Sequence, residues 1–508
     1  LHAATGGNTL FLLETIRILM ETGSVDIGSI NELPLPDTVQ SAILSHTRQL
    51  SPLAQQILET SAVLSPNLTF DLLRVTTSRR EAEVARGLDE LVAQQLLQCR
   101  GEGCQFRHDL IRTAVYQNLS PWRKRLLHRR AAEAMNDVYR SNPGQVQGQI
   151  ALHFDLAAEA ERAAGYYEKA AIEAKKTHAH ESAVVYWQRV IELATSLNRE
   201  DKELAHHFEK LGDSLAYSGQ LTEARRAYKD ALGHIPSIDN LCRASVQGKL
   251  AANYHKHDSH AEAAAAYNLA LAMLGTRIPE TNTEWWKVWF QVQLDFWELL
   301  YFNARDQEMA ELAGKLKSLI KQYGSDADRY AYYFHEGQRR YRLTRFAPSE
   351  WPIEAMRLSL NYARQVGNPL MIGQAQFGLG FGLLWNREWD ASLAELGGAL
   401  ALVERIAHRP LLTQCLAYIT LAQRLRGDID GVRATIDKAQ QSAQLQGEQF
   451  YVGHALANRA WLHYRAGSFR PAFDNALAAD SHWPPTYPLH WMAHMIILAI
   501  FLAEDDLR

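Results

Sequence analysis

The feature that most constrains this chain is a recurrence. Gly380, Thr420 and Ala460 stand 40 residues apart. Each is followed, twelve residues on, by a triad at helical spacing: Ser392, Leu396 and Ala399; Val432, Ile436 and Ala439; Ala472, Ala476 and Ala479. Spacings of four and three put each triad on one face of a helix. A small residue facing that triad lets two antiparallel helices approach closely. A helix pair of this size cannot cover both of its faces, so successive pairs must stack on one another. The expected fold is therefore mainly α, a right-handed α-solenoid.

The same logic appears earlier in a shorter unit. In Leu211–Leu232 the small residues Gly212, Ala224 and Ala231 lie where two helices meet, Tyr228 fills the wedge toward the next pair, Gly219 suits a left-handed turn, and Pro236 ends the second helix. This segment closely resembles the tetratricopeptide repeat. The frame recurs at Ala151, Phe154, Ala163, Tyr167 and Ala170, and again at Ala251, Tyr254, Ala263, Tyr267 and Ala270. A weaker copy with Ala183, Trp187 and Val190 lies between them.

Residues 280–370 break the frame with aromatic density. Trp286, Trp289, Gln293, Trp297 and Leu300 make one helical stripe; Trp285, Val288, Val292, Phe296 and Leu299 make a second. Two accounts stand. An inner repeat helix packed by both neighbours must be apolar on two sides. Alternatively Trp285, Trp289, Trp297, Tyr301 and Tyr333 line a concave site for a peptide, sugar or partner protein, because aromatic rings with polar tips suit such grooves. The histidine sets His255/His257/His260 and His490/His494 have no carboxylate or cysteine at ligand spacing, so no metal is expected. No Ser-His-Asp or Cys-His arrangement stands out.

The first 142 residues differ. Helices are expected over about 38–49, 52–64, 70–75 and 81–94, with Asp37 and Ser51-Pro52 as start signals. Leu96–Cys99 and Cys104–Phe106 read as a β-hairpin around Arg100-Gly101-Glu102-Gly103, giving the helix-then-hairpin order of a winged helix. Cys99 and Cys104 can face each other there but are expected as free thiols. Four cysteines in 508 residues form no disulfide framework and suit a reducing, cytoplasmic setting. Apolar and charged contents of 47% and 22% describe a globular protein, and a net charge of −4 excludes a chain-wide nucleic-acid surface. The candidate recognition helix, 81–94, carries Glu81, Glu83, Asp89 and Glu90, so direct DNA binding is not expected. The basic cluster Arg123, Lys124, Arg125, Arg129 and Arg130 reads as a solvated or interdomain face. No run of 18 apolar residues suggests a membrane span.

After the hairpin comes FRHDLIRTAVYQNLSPWRKRLLHRRAAEAM, residues 106–135. A winged helix followed by this run resembles the STAND class of signalling ATPases, which includes bacterial transcription regulators with helical C-termini and plant NLR receptors. Arg107, His108 and Asp109 occupy the place of the NLR Met-His-Asp motif, with Arg107 in place of Met. The resemblance implies that His108 reaches the phosphate of bound ADP in the closed state. An imidazole beside a helix start is chemically suited to that, and Asp109 would cap the helix or orient His108. Gly7-Asn8-Thr9-Leu10-Phe11 resembles the lid subdomain's Gly-Asn-Pro-Leu-Phe run, Thr9 standing where Pro is usual; Asn8 and Thr9 are thereby implied nucleotide contacts. The 40-residue period fits the extended helices of sensor arrays in bacterial members.

No Gly-x-x-x-x-Gly-Lys-Ser/Thr loop occurs, so this chain alone is expected neither to bind nor to hydrolyse ATP; ATP and ADP belong to a longer parent. The chain opens on Leu and stops within a helical pattern, so a piece of a longer protein is expected. The implied organisation is lid end and linker over 1–36, winged helix over 37–142, tetratricopeptide repeats over 143–279, divergent aromatic repeats over 280–370, and 40-residue repeats over 371–508. The implied function is the sensor of an ATP-dependent regulator that takes a protein or small-molecule inducer and self-associates on activation. A plain tetratricopeptide scaffold, or the regulatory tail of a nucleotide cyclase or protein kinase, are the alternatives.

Overall fold

The computed structural model describes residues 37–101, 103–177, 179–257, 259–275, 281–483 and 489–503. Two compact units divide the chain, Leu1–Asp239 and Asn240–Arg508.

In the first unit, helices α1 (Asp37–Thr47), α2 (Pro52–Leu64), α3 (Phe70–Thr77) and α4 (Glu81–Ala93) precede a hairpin of β1 (Leu97–Arg100) and β2 (Gly103–Phe106). The start of α2 is built as its sequence dictates. Pro52 takes the first turn, where its missing N–H costs nothing, and Ser51 Oγ accepts from Ala54 N at 3.2 Å. Ser51 also donates its N–H and hydroxyl to Glu90 at 2.7 and 2.6 Å, tying the head of α2 to α4. Helices α5 (Asp109–Asn118) and α6 (Pro121–Val138) follow, the latter capped by Ser120. Helix α2 lies against α3, α4, α5 and α6, burying Ile57, Leu58, Leu64, Leu72, Leu73 and Leu91.

The hairpin corrects one expectation. Its register sets Cys99 directly opposite Cys104, with Cα atoms 4.0 Å apart, and the two are joined as a disulfide rather than left as free thiols. Cys415 is buried and carries a free thiol.

The unit continues as helix pairs: α7 (Gln147–Leu156), α8 (Ala160–Lys176), α9 (His180–Ser196), α10 (Asp201–Tyr217) and α11 (Leu221–His234). The small residues do what their spacing predicts. A Cβ on Gly212 would sit 2.6 Å from the Tyr228 ring, which is buried and anchored by its hydroxyl donating to Asp213 at 3.0 Å. Gly219 turns the chain between α10 and α11 at φ +82°. Gly212→Ala should therefore lower stability by about 1–2 kcal/mol in urea unfolding, because overpacking outweighs the gain in helix propensity.

The second unit is helical throughout its described residues: α12 (Asn240–Lys256), α13 (His260–Leu274), α14 (Thr283–Phe302), α15 (Asp306–Tyr323), α16 (Asp326–Leu343), α17 (Glu350–Val366), α18 (Pro369–Trp385), α19 (Trp389–Arg405), α20 (Arg409–Arg426), α21 (Ile429–Leu445), α22 (Gln449–Arg465), α23 (Phe469–Ser481) and α24 (Trp491–Ala503). Successive helices pack on their chain neighbours, and alternate helices α18, α20, α22 and α24 also touch in sequence. All nine residues of the three triads are buried. Gly380 admits Leu396 so closely that a Cβ would lie 2.8 Å from Leu396 Cγ, and its carbonyl accepts the Ser392 hydroxyl at 2.7 Å. No helix among the described residues is long and apolar enough to cross a membrane.

Candidate functional site

His108 occupies the N-cap of α5, directly after β2, in extended conformation (φ −136°, ψ 134°). Its carbonyl accepts from Ile111 N at 3.0 Å while its imidazole makes no capping bond and is half-buried. The Arg107 N–H closes the strand end by donating to Leu96 O at 3.1 Å, which fixes where His108 can stand. The Arg107 side chain is exposed. Asp109 is exposed in the first turn of α5 and accepts from Arg112 Nε at 2.8 Å. The region therefore offers an imidazole, a helix start and the exposed Arg107 guanidinium, features suited to an anion, while the Arg112 guanidinium is paired with Asp109. Asn8 and Thr9 lie outside the described residues.

Behind this helix runs a polar chain absent from the sequence reading. The Tyr116 hydroxyl, on α5, meets His128 Nε2, on α6, at 2.8 Å, and His128 Nδ1 meets His153 Nδ1, on α7, at 2.8 Å. Two nitrogens facing each other require one to carry hydrogen and the other a lone pair. The Tyr116 hydroxyl can donate or accept to suit either tautomer. Burial holds both imidazoles down at about 4; for His128 the neighbouring His153 and Lys124 add to the effect. The pair links the helices after the hairpin to the first repeat helix. Each histidine alone, 25 residues apart, reads as an ordinary position on an apolar face.

Three members of the basic cluster on α6 meet neighbouring side chains, while Arg125 and Arg130 are exposed. Arg123 pairs with Glu59 of α2 at 2.9 Å, Lys124 lies over the Tyr116 ring at 4.8 Å, and Arg129 approaches Glu159 at 3.9 Å.

The aromatic helix α14 resolves into packing. Trp285, Trp289 and Trp297 are 8%, 5% and 0% exposed, so their faces are covered by the protein itself and a groove lining by these three is corrected to core. The stripes part between two clusters only in the main, for Trp285 of the second stripe joins the cluster of the first and Val288 and Phe296 touch both. One sets Trp286, Trp289 and Trp297 among Met309, Leu316 and Tyr332; the other sets Val292 and Leu299 among Ala251, Ala263 and Tyr267. Tyr301 and Tyr333 are half-buried. Tyr301 lies under the Arg342 guanidinium at 5.5 Å, and Tyr333 stacks on Tyr362 at 5.8 Å.

One buried charge had no signal in the sequence. Arg424 of α20 donates to the carbonyls of Ala457 at 3.1 Å and Met492 at 2.9 Å, which belong to α22 and α24. Burial pulls its guanidinium down to about 9. Its partners are main-chain carbonyls and the Asn458 amide oxygen rather than a carboxylate, so it acts as a clamp across three helices.

No protein-family model matches the sequence, and no curated protein matches it. Among solved structures the fold is similar to a signal transduction ATPase with numerous domains (STAND) protein carrying a tetratricopeptide repeat sensor, from Pyrococcus horikoshii, at 13% identity and TM-score 0.52, covering 93% of this chain and 68% of that one. A Rap protein complexed with competence and sporulation factor aligns at 14% identity and TM-score 0.42, covering 68% of this chain and 99% of that one. Aspartyl phosphate phosphatase F from Bacillus subtilis aligns at 13% identity and TM-score 0.39, covering 67% and 94%. At these identities the first likeness establishes a tetratricopeptide-like helical repeat fold.

Proposed function

We propose that this chain is the regulatory and sensor portion of a STAND-type, ATP-dependent regulator of signal transduction or transcription. Residues 37–142 act as a winged helix that reads nucleotide state, and the repeats beyond them receive a protein or small-molecule inducer. The lid end over 1–36, the repeats over 143–279, the divergent segment over 280–370 and the long repeats over 371–508 complete the organisation. The parent protein is held closed by ADP and self-associates once inducer and ATP exchange open it.

The observation that carries this reading is the position of His108. Its imidazole stands at a helix start, uncommitted to capping, directly behind a hairpin that fixes its backbone. ADP bound to the parent's phosphate loop would supply an anion, which an imidazole N–H and the first amides of α5 suit. Arg107, Asn8 and Thr9 are the further nucleotide contacts proposed. The Tyr116–His128–His153 chain supports the second half of the idea, since it ties α5 and α6 to the first repeat helix.

The test uses the full-length parent. His108→Ala should weaken ADP about ten- to a hundredfold, the worth of one hydrogen bond to a charged group, and raise basal output. A variant that holds ADP as tightly as the wild type would falsify the switch role. A parent gene without an upstream phosphate loop would favour a plain tetratricopeptide scaffold. A cyclase or kinase domain in that gene would make the chain its regulatory tail.

A further inference from the structure

The two histidines at the head of the last helix acquire a carboxylate that their sequence neighbourhood lacks. Asp480 lies in the final turn of α23, ten residues before His490. His490 directly precedes α24, and His494 follows one turn later, its N–H donating to His490 O at 3.0 Å. The i, i+4 spacing places both imidazoles on one side of the helix. They converge on a single atom: His490 Nδ1 is 2.6 Å and His494 Nε2 is 2.8 Å from Asp480 Oδ1. The rings stack at 5.2 Å, and Trp483 meets the His490 ring edge-on at 5.7 Å.

We propose that Asp480, His490 and His494 form a binding site for a divalent transition-metal ion of zinc type, fastening α24 to the end of α23. One carboxylate oxygen and two imidazole nitrogens are the donors such borderline ions prefer, and three protein ligands leave a fourth position open to solvent or a further group. The ligand atoms all lie within 4.8 Å of one another. Zinc bonded at about 2.0–2.1 Å to tetrahedral ligands separates them by about 3.3 Å, so each histidine nitrogen needs to draw back from Asp480 Oδ1 by only roughly 0.5–0.7 Å. The His490 and His494 side chains are 17% and 57% exposed, which gives the ion a route in and leaves His494 replaceable without disturbing the core. Among the described residues this is the one group of three histidine, cysteine or acidic side chains close enough to share an ion. Hard ions such as Mg²⁺ require more oxygen ligands and are not expected to compete.

The test is a calorimetric titration of the whole chain with zinc chloride at neutral pH. One equivalent should bind with micromolar or tighter affinity, and the thermal transition should rise with zinc. Asp480→Asn and His494→Gln should each weaken binding at least tenfold, with the circular dichroism and metal-free melting of His494→Gln unchanged. Nickel should bind at the same site and quench the fluorescence of Trp483 and Trp491, and the quenching should be lost in the two variants. The inference is overturned if zinc binds without stoichiometry, if both variants keep wild-type affinity, or if magnesium binds equally well.

Discussion

Trp297→Ala is expected to lower stability by about 3–5 kcal/mol, the range for truncating a fully buried tryptophan, and to drop the melting temperature of its unit by roughly 6–15 °C. The side chain is 0% exposed and is packed edge-on against Tyr332 at 5.7 Å. Trp297→Phe should cost far less. The indole N–H meets no acceptor among the described residues, so phenylalanine loses ring volume but no hydrogen bond. Equilibrium unfolding of the two variants distinguishes core from groove. A residue lining a partner site would show a small stability cost for Ala and a large loss of partner affinity. Tyr301→Ala or Tyr333→Ala, at half-buried positions, should show the smaller stability cost.

The second large effect is acid lability centred on His128 and His153. Both imidazoles are held at about 4 in the folded protein against 6.5 for an ordinary histidine. Their folded values are depressed, so between these limits the unfolded chain binds more protons than the folded one. The associated stability is complete above about pH 6.5 and is lost as pH falls toward 4. For two coupled groups that share one hydrogen bond, the loss is on the order of 3–5 kcal/mol. Urea midpoints at pH 7.5, 5.5 and 4.5 measure it. His153→Gln should flatten the curve between pH 6.5 and 4.5, since a neutral amide replaces a titrating ring. An unchanged slope in that variant places the acid sensitivity elsewhere. Because the pair joins α6 to α7, the same protonation should loosen the first repeat helix, read as faster amide exchange in α7.

Much of the helical framework was legible before any coordinates. The triads behind Gly380, Thr420 and Ala460 are buried as their spacing demands, because helix periodicity is a local property and a small residue admits a close neighbour wherever it stands. Ser51-Pro52 and Ser120-Pro121 announced two helix starts, and both serines accept the amide bonds that cap those helices. The two stripes of α14 also pointed to a helix covered on both sides. The same stripes could not say whether one side was left for a ligand, since a tryptophan in a core and one in a groove have the same spacing. Cys99 and Cys104 show the opposite failure: their facing positions are legible in the sequence, but whether facing thiols join depends on the hairpin register, which sets them directly across from each other.

Alone, then, the sequence determined which segments are helices, which faces they bury, that they stack as pairs, and that His108 opens a helix after a hairpin. All of these follow from interactions within a few residues or from a repeating period. Tertiary structure alone decided the contacts that join distant positions: His128 with His153, Arg424 with the carbonyls of Ala457 and Met492, and Asp480 with His490 and His494. Those pairings depend on how one helix is rotated against another. That rotation is set by the packing of every apolar side chain between them, and no short stretch of sequence carries it.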